Sequence, residues 1–245
     1  MKALILAAGY ATRLYPLTIN RPKPLLPVRN RPMIDYTMAK LEELSSLDEV
    51  YVVTNSRFFK SFKAWASSYP GSKKITIIDD KTLTNEERLG AIGDMQFVIK
   101  EMNINEDLII IAGDNLFSFK MDDFIKFAKA HSSSCSIVLH NIGSLKEARR
   151  YGVVKIDENN KLLSFTEKPA EPESTLVAIC LYYFPKEKLS RVAEYLTQSK
   201  HKDAPGNYIG WLVQNDNVYG FIFGDEWYDI GDKNIYEKIK DTYKG

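Results

Sequence analysis

At 245 residues, 44% hydrophobic and 27% charged, the chain is long enough to bury a substantial core and has the balance of a soluble globular protein. Its 33 basic and 32 acidic residues leave a formal charge of +1, which offers no global field to nucleic acid or a membrane surface, so any anion site must be local. Cys135 and Cys180 lie far apart in apolar runs, which excludes a disulfide framework and a cysteine metal motif and predicts two buried thiols. No apolar run approaches twenty residues and no charged leader precedes the first strand, so a cytoplasmic protein is expected.

In chain order, residues 3–7 form a short continuous apolar run, the pattern of a strand covered on both faces. From Pro32, the residues Met33, Ile34, Met38, Leu41 and Leu44 recur at helical spacing. A strand at 50–54, an aromatic amphipathic helix at 58–69, a strand at 75–78 and a helix at 93–102 follow. The strongest buried strand, 108–112, ends in Gly113-Asp114-Asn115. This alternation predicts a largely parallel sheet with helices on both faces. Beyond Ile125, strand-like runs at 136–139, 151–156, 162–166 and 177–184 carry less helix between them and imply a mixed sheet. Helices at 185–197 and 205–213, a strand at 218–223 and a helix at 233–243 complete the chain. With no repeat or linker, the expectation is one domain over 1–245. The two halves, residues 1–130 and 131–245, would share one continuous sheet.

The opening stretch LILAAGYATRLYPLT (residues 4–18), continued by RPKPLLP (21–27), carries the chemistry. Ligands of open parallel sheets bind beyond the carboxyl ends of the strands. Gly9 permits close backbone approach or a positive φ, and the amides after it can form an anion nest. Arg13 offers a planar fork for phosphate oxygens, and prolines 22, 24 and 27 hold Lys23 in place as a point charge. Ala11 and Leu14 stand where a dinucleotide turn would need its later glycines, which disfavours a Rossmann dehydrogenase.

This opening resembles the signature of the sugar-1-phosphate nucleotidylyltransferases, the NDP-sugar pyrophosphorylases. The resemblance continues in order through Gly113-Asp114-Asn115, YGVV (151–154), EKP (167–169) and WYDIG (227–231), and is nearest to the glucose-1-phosphate thymidylyltransferase type. It implies a Rossmann-like three-layer α/β/α fold of the GT-A-like, nucleotide-diphospho-sugar transferase kind, with a central mixed, mostly parallel sheet. It also implies Mg2+-dependent condensation of a nucleoside triphosphate with a sugar-1-phosphate, releasing pyrophosphate.

By that resemblance Arg13 and Lys23 are catalytic, the arginine on the triphosphate and the lysine near the α-phosphate. Leu6, Ala7, Ala8, Gly9, Thr12, Gly90 and Asp114 join Arg13 in binding the nucleotide. Gly152, Glu167 and Lys168 bind the sugar phosphate, and Asp114 and Asp229 hold the metal. No nucleic acid or membrane partner is expected, and a homo-oligomer stays open. Phe58, Phe59, Phe62 and Trp65 read as core or subunit contact, and Trp211 and Trp227 as candidate pocket walls. None of His131, His140 and His201 falls in a motif.

Departures from the family pattern leave both substrates open. The loop 79–88 lacks the glutamine with which thymidylyl and uridylyl branches read the pyrimidine edge. Cys180 replaces a glycine of the sugar-pocket strand, and 203–211 replaces an acid-rich segment. Cytidylyl transfer to phosphocholine or an inositol phosphate is therefore an alternative. A nucleotide-sugar-dependent glycosyltransferase and a non-catalytic sensor are further ones.

Overall fold

The computed structural model describes residues 1–243; Lys244 and Gly245, the last two positions of the expected domain, lie outside the described residues. The first half contains β1 (Lys2–Leu6), the short antiparallel pair β2 (Pro27–Val28) and β3 (Arg31–Pro32), α1 (Met33–Glu42) and β4 (Glu49–Thr54). It continues with α2 (Phe59–Ser68), β5 (Lys74–Asp79), α3 (Ala91–Glu101), β6 (Leu108–Ala112), β7 (Asn115–Phe117) and α4 (Met121–Ala130). The second half contains β8 (Cys135–Asn141), α5 (Leu145–Ala148), β9 (Gly152–Ile156), β10 (Leu162–Glu167) and β11 (Leu176–Phe184). After these come α6 (Ser190–Gln198), α7 (Pro205–Asn215), β12 (Val218–Phe223), β13 (Trp227–Asp229) and α8 (Lys233–Ile239).

Nine strands form one sheet ordered β10-β9-β11-β6-β1-β4-β5, with β8 also paired to β11 and β12 beside β8. The pairs β1–β4, β1–β6, β4–β5 and β8–β12 are parallel, whereas β11 runs antiparallel to β6, β8 and β9. The expected mixed, mostly parallel sheet is thus observed, and strands from both halves of the chain build it.

Successive side chains of a strand point to opposite faces, so continuous apolar runs imply cover on both. Ala3, Ile5, Val50, Val52, Ile109 and Ile111 pack on one face with α1, α2 and α4. Leu4, Tyr51, Val53, Leu108 and Ile110 pack on the other with α3, α6 and α7. Phe58, Phe62 and Trp65 are buried in the first of these cores, with Phe59 half-buried against it. A third cluster joins Leu14, Leu26, Val28 and Met33 to Leu116, Ile230, Tyr236 and Ile239, bracing the opening stretch against α8.

The structure adds what periodicity did not reveal. Helix α4 lies where the sequence reading saw only a change of texture, and its buried face is Met121, Phe124, Ile125 and Ala128. The strands β7 and β13 are three residues each, too short to show an alternation, and they form a separate two-stranded sheet. The expected helix at 185–197 begins as a 3-10 turn, Lys186–Lys188, before α6.

Candidate active site

A cleft of about 800 Å3 opens beyond the carboxyl ends of β1 and β6. Every residue given a catalytic, binding or metal role from the sequence borders it: Leu6, Ala7, Ala8, Gly9, Thr12, Arg13, Lys23, Gly90, Asp114, Gly152, Glu167, Lys168 and Asp229. One wall is the turn after β1. Ala8 is fixed there by Asn55, whose Nδ2 donates to the Ala8 carbonyl at 2.8 Å. The left-handed backbone of this turn falls on Ala11, at φ 46°, and not on Gly9 as glycine's freedom had suggested. At Gly9 a Cβ would point into open space, so the missing side chain keeps the cleft floor free. Arg13 is exposed on a 3-10 turn, Thr12–Leu14, and makes no ion pair among the described residues.

Lys23 begins a second 3-10 turn, Lys23–Leu25, and is only 7% exposed. Its Nζ donates to Asp114 Oδ2 at 2.6 Å, while Pro24 sits against Gly113 just ahead of that aspartate. Asp229 is brought to the same place by β-pairing: β13 lies antiparallel to β7 with Asp229 opposite Asn115, one residue beyond Asp114. Asn115 reinforces the join, because its Oδ1 accepts from Trp227 Nε1 at 3.2 Å and its Nδ2 donates to the Ile179 carbonyl. Burial and the facing Asp114 carboxylate raise the Asp229 pKa, while Lys23, Arg150 and Lys168 oppose the rise.

Asp114 and Asp229 thus face each other, with Lys23 bonded to the first and Arg150 and Lys168 acting on the second. No group of three or more His, Cys, Asp or Glu side chains fit to hold a metal occurs among the described residues. A hard divalent cation there would take one or two carboxylates and complete its shell with substrate oxygens and water, which this pair fits.

In the same cleft, Glu167 closes β10 and Lys168 follows in a left-handed conformation, φ 47°, its Nζ 3.4 Å from Glu167 Oε1. Glycines hold this part tightly packed: a Cβ on Gly152 would strike the Phe165 ring at 2.2 Å, and one on Gly206 would strike Glu167 Oε2 at 1.9 Å. Gly152 therefore admits an aromatic ring of its own chain. Cys180 is half-buried on the cleft wall, which corrects the expectation of two fully buried thiols; Cys135 is buried. It sits at φ 54° where the pairing of β11 with β8 shifts register between Ala178 and Tyr182. Burial pushes its thiol up to about 12, so the group is a poor nucleophile. Trp227 lines the cleft, whereas Trp211 packs under the Arg191 guanidinium away from it.

Gly90 caps α3 at φ 78°, and a Cβ there would meet the Lys202 carbonyl oxygen at 2.6 Å. The segment before α7 is docked onto α3 by Ile92 N donating to Lys202 O at 3.0 Å. The Arg88 guanidinium holds Asp203 bidentately at 2.9 and 3.1 Å. Sequence reasoning missed Arg88, Asp94 and Arg150, which also border the cleft. An acid at 94 among Ile92, Met95 and Val98, on an otherwise apolar helix face, was the available signal for Asp94.

The model of the family described as "Nucleotidyl transferase" matches residues 2–244, and the chain belongs to that family. It is 31% identical over 98% of its length to the "Putative mannose-1-phosphate guanyltransferase" of Sulfolobus acidocaldarius, of which it covers 62%. It is 27% identical over 94% of its length to the UTP–glucose-1-phosphate uridylyltransferase of a Synechocystis species, of which it covers 60%. It thus spans about three fifths of the curated relatives it matches. Its fold is that of the "Putative Glucose-1-Phosphate Thymidylyltransferase" from Bacillus anthracis, solved with a sucrose, at TM-score 0.78 and 21% identity over 100% of this chain and 97% of that one.

Proposed function

We propose that the chain transfers a nucleotidyl group from a nucleoside triphosphate to a sugar-1-phosphate, giving an NDP-sugar and pyrophosphate. The observation that carries this reading is that Arg13, Lys23, Asp114 and Asp229 line one cleft together with Glu167 and Lys168. A phosphate oxygen of the acceptor attacks the α-phosphorus, the new P–O bond forms in line, and the bond to the bridging oxygen breaks as pyrophosphate leaves. Such a reaction needs charge neutralisation and positioning more than proton transfer. Arg13 has an unpaired fork for triphosphate oxygens. Lys23, already held toward the carboxylate pair, is placed for the α-phosphate. Glu167 accepts from acceptor hydroxyls and Lys168 meets the acceptor phosphate. Asp114 and Asp229 would hold a divalent cation, Mg2+ in this reading, which supplies further charge neutralisation on the phosphates.

In this reading residues 1–130 serve the nucleotide and 131–245 the acceptor within one domain, and the chain works in the cytoplasm. No helix among the described residues is long and apolar enough to cross a membrane. Cys180 at φ 54° favours a second reading, cytidylyl transfer to a smaller phosphate such as phosphocholine, because its side chain occupies acceptor space that a glycine would leave free. A pyrophosphate-release screen of five triphosphates against a set of sugar-1-phosphates and phosphocholine decides between them. Turnover with phosphocholine alone establishes the second, and no turnover with any pair rejects both.

A further inference from the structure

One buried acid on the cleft wall has no part in the transfer chemistry. Asp94 lies one turn along α3 from Gly90, is 5% exposed, and its Oδ1 has no hydrogen-bond donor. Its neighbour Asp80, at the end of β5, is 3% exposed. The Asp80 Oδ1 accepts from Thr82 N at 2.7 Å and from Thr82 Oγ1 at 2.8 Å, while its Oδ2 also has no donor. Each carboxyl thus has one buried oxygen without a donor among the described residues, and the two groups are near enough to act on each other's titration. Two ionised oxygens so placed repel, so a proton must lie between them and the pair carries one negative charge in all. Burial and the adjacent Asp80 accordingly push Asp94 up to about 8.

With that proton committed inward, the pair has acceptor lone pairs left for the cleft and no donor. Of the other polar groups on this wall, Arg88 is engaged by Asp203 through two hydrogen bonds, and Asn85 borders the cleft farther along the same loop. The loop 79–88 carries no glutamine, and its one amide side chain is the shorter Asn85. A base edge presenting an amino group satisfies a lone acceptor, whereas an edge presenting a carbonyl oxygen sets two acceptors against each other.

We propose that Asp94, backed by Asp80, selects the nucleobase by accepting a hydrogen bond from an exocyclic amino group. The chain accordingly prefers a triphosphate of cytosine, guanine or adenine to one of uracil or thymine. The inference rests on the nucleotidyl-transfer reading, which sets the base against the start of α3.

The test is calorimetric titration of the full chain, in magnesium buffer without acceptor, with CTP, UTP, GTP, ITP, ATP and dTTP. CTP against UTP and GTP against ITP bracket the effect of a single amino group. At least one amino-bearing base should bind roughly tenfold or more tightly than its amino-free counterpart and than dTTP. Asp94→Asn, which turns an acceptor toward a donor, should reduce that ratio by about 10- to 100-fold. Should Asp94→Asn not fold, Asp94→Ala removes the acceptor and should bring the ratio near unity. UTP or dTTP binding as tightly as the best amino-bearing base overturns the proposal, as does an equal loss for all six ligands in Asp94→Asn. Because acceptor is absent, failure of pyrophosphate release with this binding order intact would reject the transfer reading and leave the base selection standing.

Discussion

Lys23 Nζ and Asp114 Oδ2 meet at 2.6 Å across 91 residues of sequence, joining the turn after β1 to the end of β6. The lysine is nearly buried and the aspartate side chain is 33% exposed, so the pair is fixed at one end and open to the cleft at the other. The same ammonium, with Arg150 and Lys168, opposes the rise that burial and Asp114 impose on the Asp229 pKa.

Lys23→Met keeps most of the buried stem and removes the charge. Turnover is expected to fall by roughly 10^2- to 10^3-fold, the range for losing one preorganised group at a developing charge. Stability at pH 7 should drop by about 1–2 kcal/mol, below the cost for a fully buried pair because Asp114 reaches solvent. Steady-state kinetics and urea denaturation with and without magnesium separate the two effects. An unchanged kcat would remove the lysine from the chemistry.

The Asp80–Asp94 pair makes stability depend on pH. Asp94 titrates at about 8 in the fold against roughly 4 in an unfolded chain. Between those values the folded state binds more protons, so this group's contribution is fully present below about pH 4 and is lost as pH rises through about 8. Asp94→Asn should flatten the decline in melting temperature between about pH 4 and 8. An equally steep decline in the variant would place the proton elsewhere.

Gly90→Ala must both accept φ 78° and push away the Lys202 backbone. A loss of about 1–3 kcal/mol is expected from the strained backbone, with a further cost from the displaced contact. Nucleotide affinity should weaken along with stability, because the docked segment borders the same cleft. Thermal melts with and without triphosphate measure both. A wild-type melting temperature in the variant would contradict the close approach.

Cys180→Gly should raise stability slightly or leave it unchanged, because the left-handed conformation costs a non-glycine residue about 1 kcal/mol. It should also broaden the acceptors accepted by enlarging the cleft there. In the wild-type protein, iodoacetamide should label Cys180 slowly at pH 8, a value well below a thiol pushed up to about 12. Mass-spectrometric labelling rates and an acceptor panel measure the two effects. Rapid alkylation would show the thiol to be less buried than described.

The features that were legible in the sequence are those that repeat or stand in a recognisable order. Continuous apolar runs gave the strands of the parallel half, because burial on both faces leaves no alternation to blur. The proline-stiffened segment around Lys23 and the strand-end Asp114 could be singled out for the same reason: each follows a strong local signal. What makes Asp229 a neighbour of Asp114 is a three-residue strand pair, and so short a segment carries no periodic signature. Asp94 and Asp80 were passed over because their meaning is a contact between a helix and a loop, which spacing along the chain does not encode. The positive φ at Ala11 likewise depends on the packing of the turn, with Thr18 Oγ1 donating to the Ala11 carbonyl at 2.8 Å.

The most direct test of the account is pyrophosphate release by the wild-type chain beside Arg13→Ala and Asp114→Ala, using the best triphosphate and acceptor from the screen and varying magnesium. The expected result is metal-dependent release in the wild type and a loss of at least about 100-fold in each variant, with their circular dichroism unchanged. Release at wild-type rate in either variant, or no release from any pair by the folded wild-type protein, would contradict it.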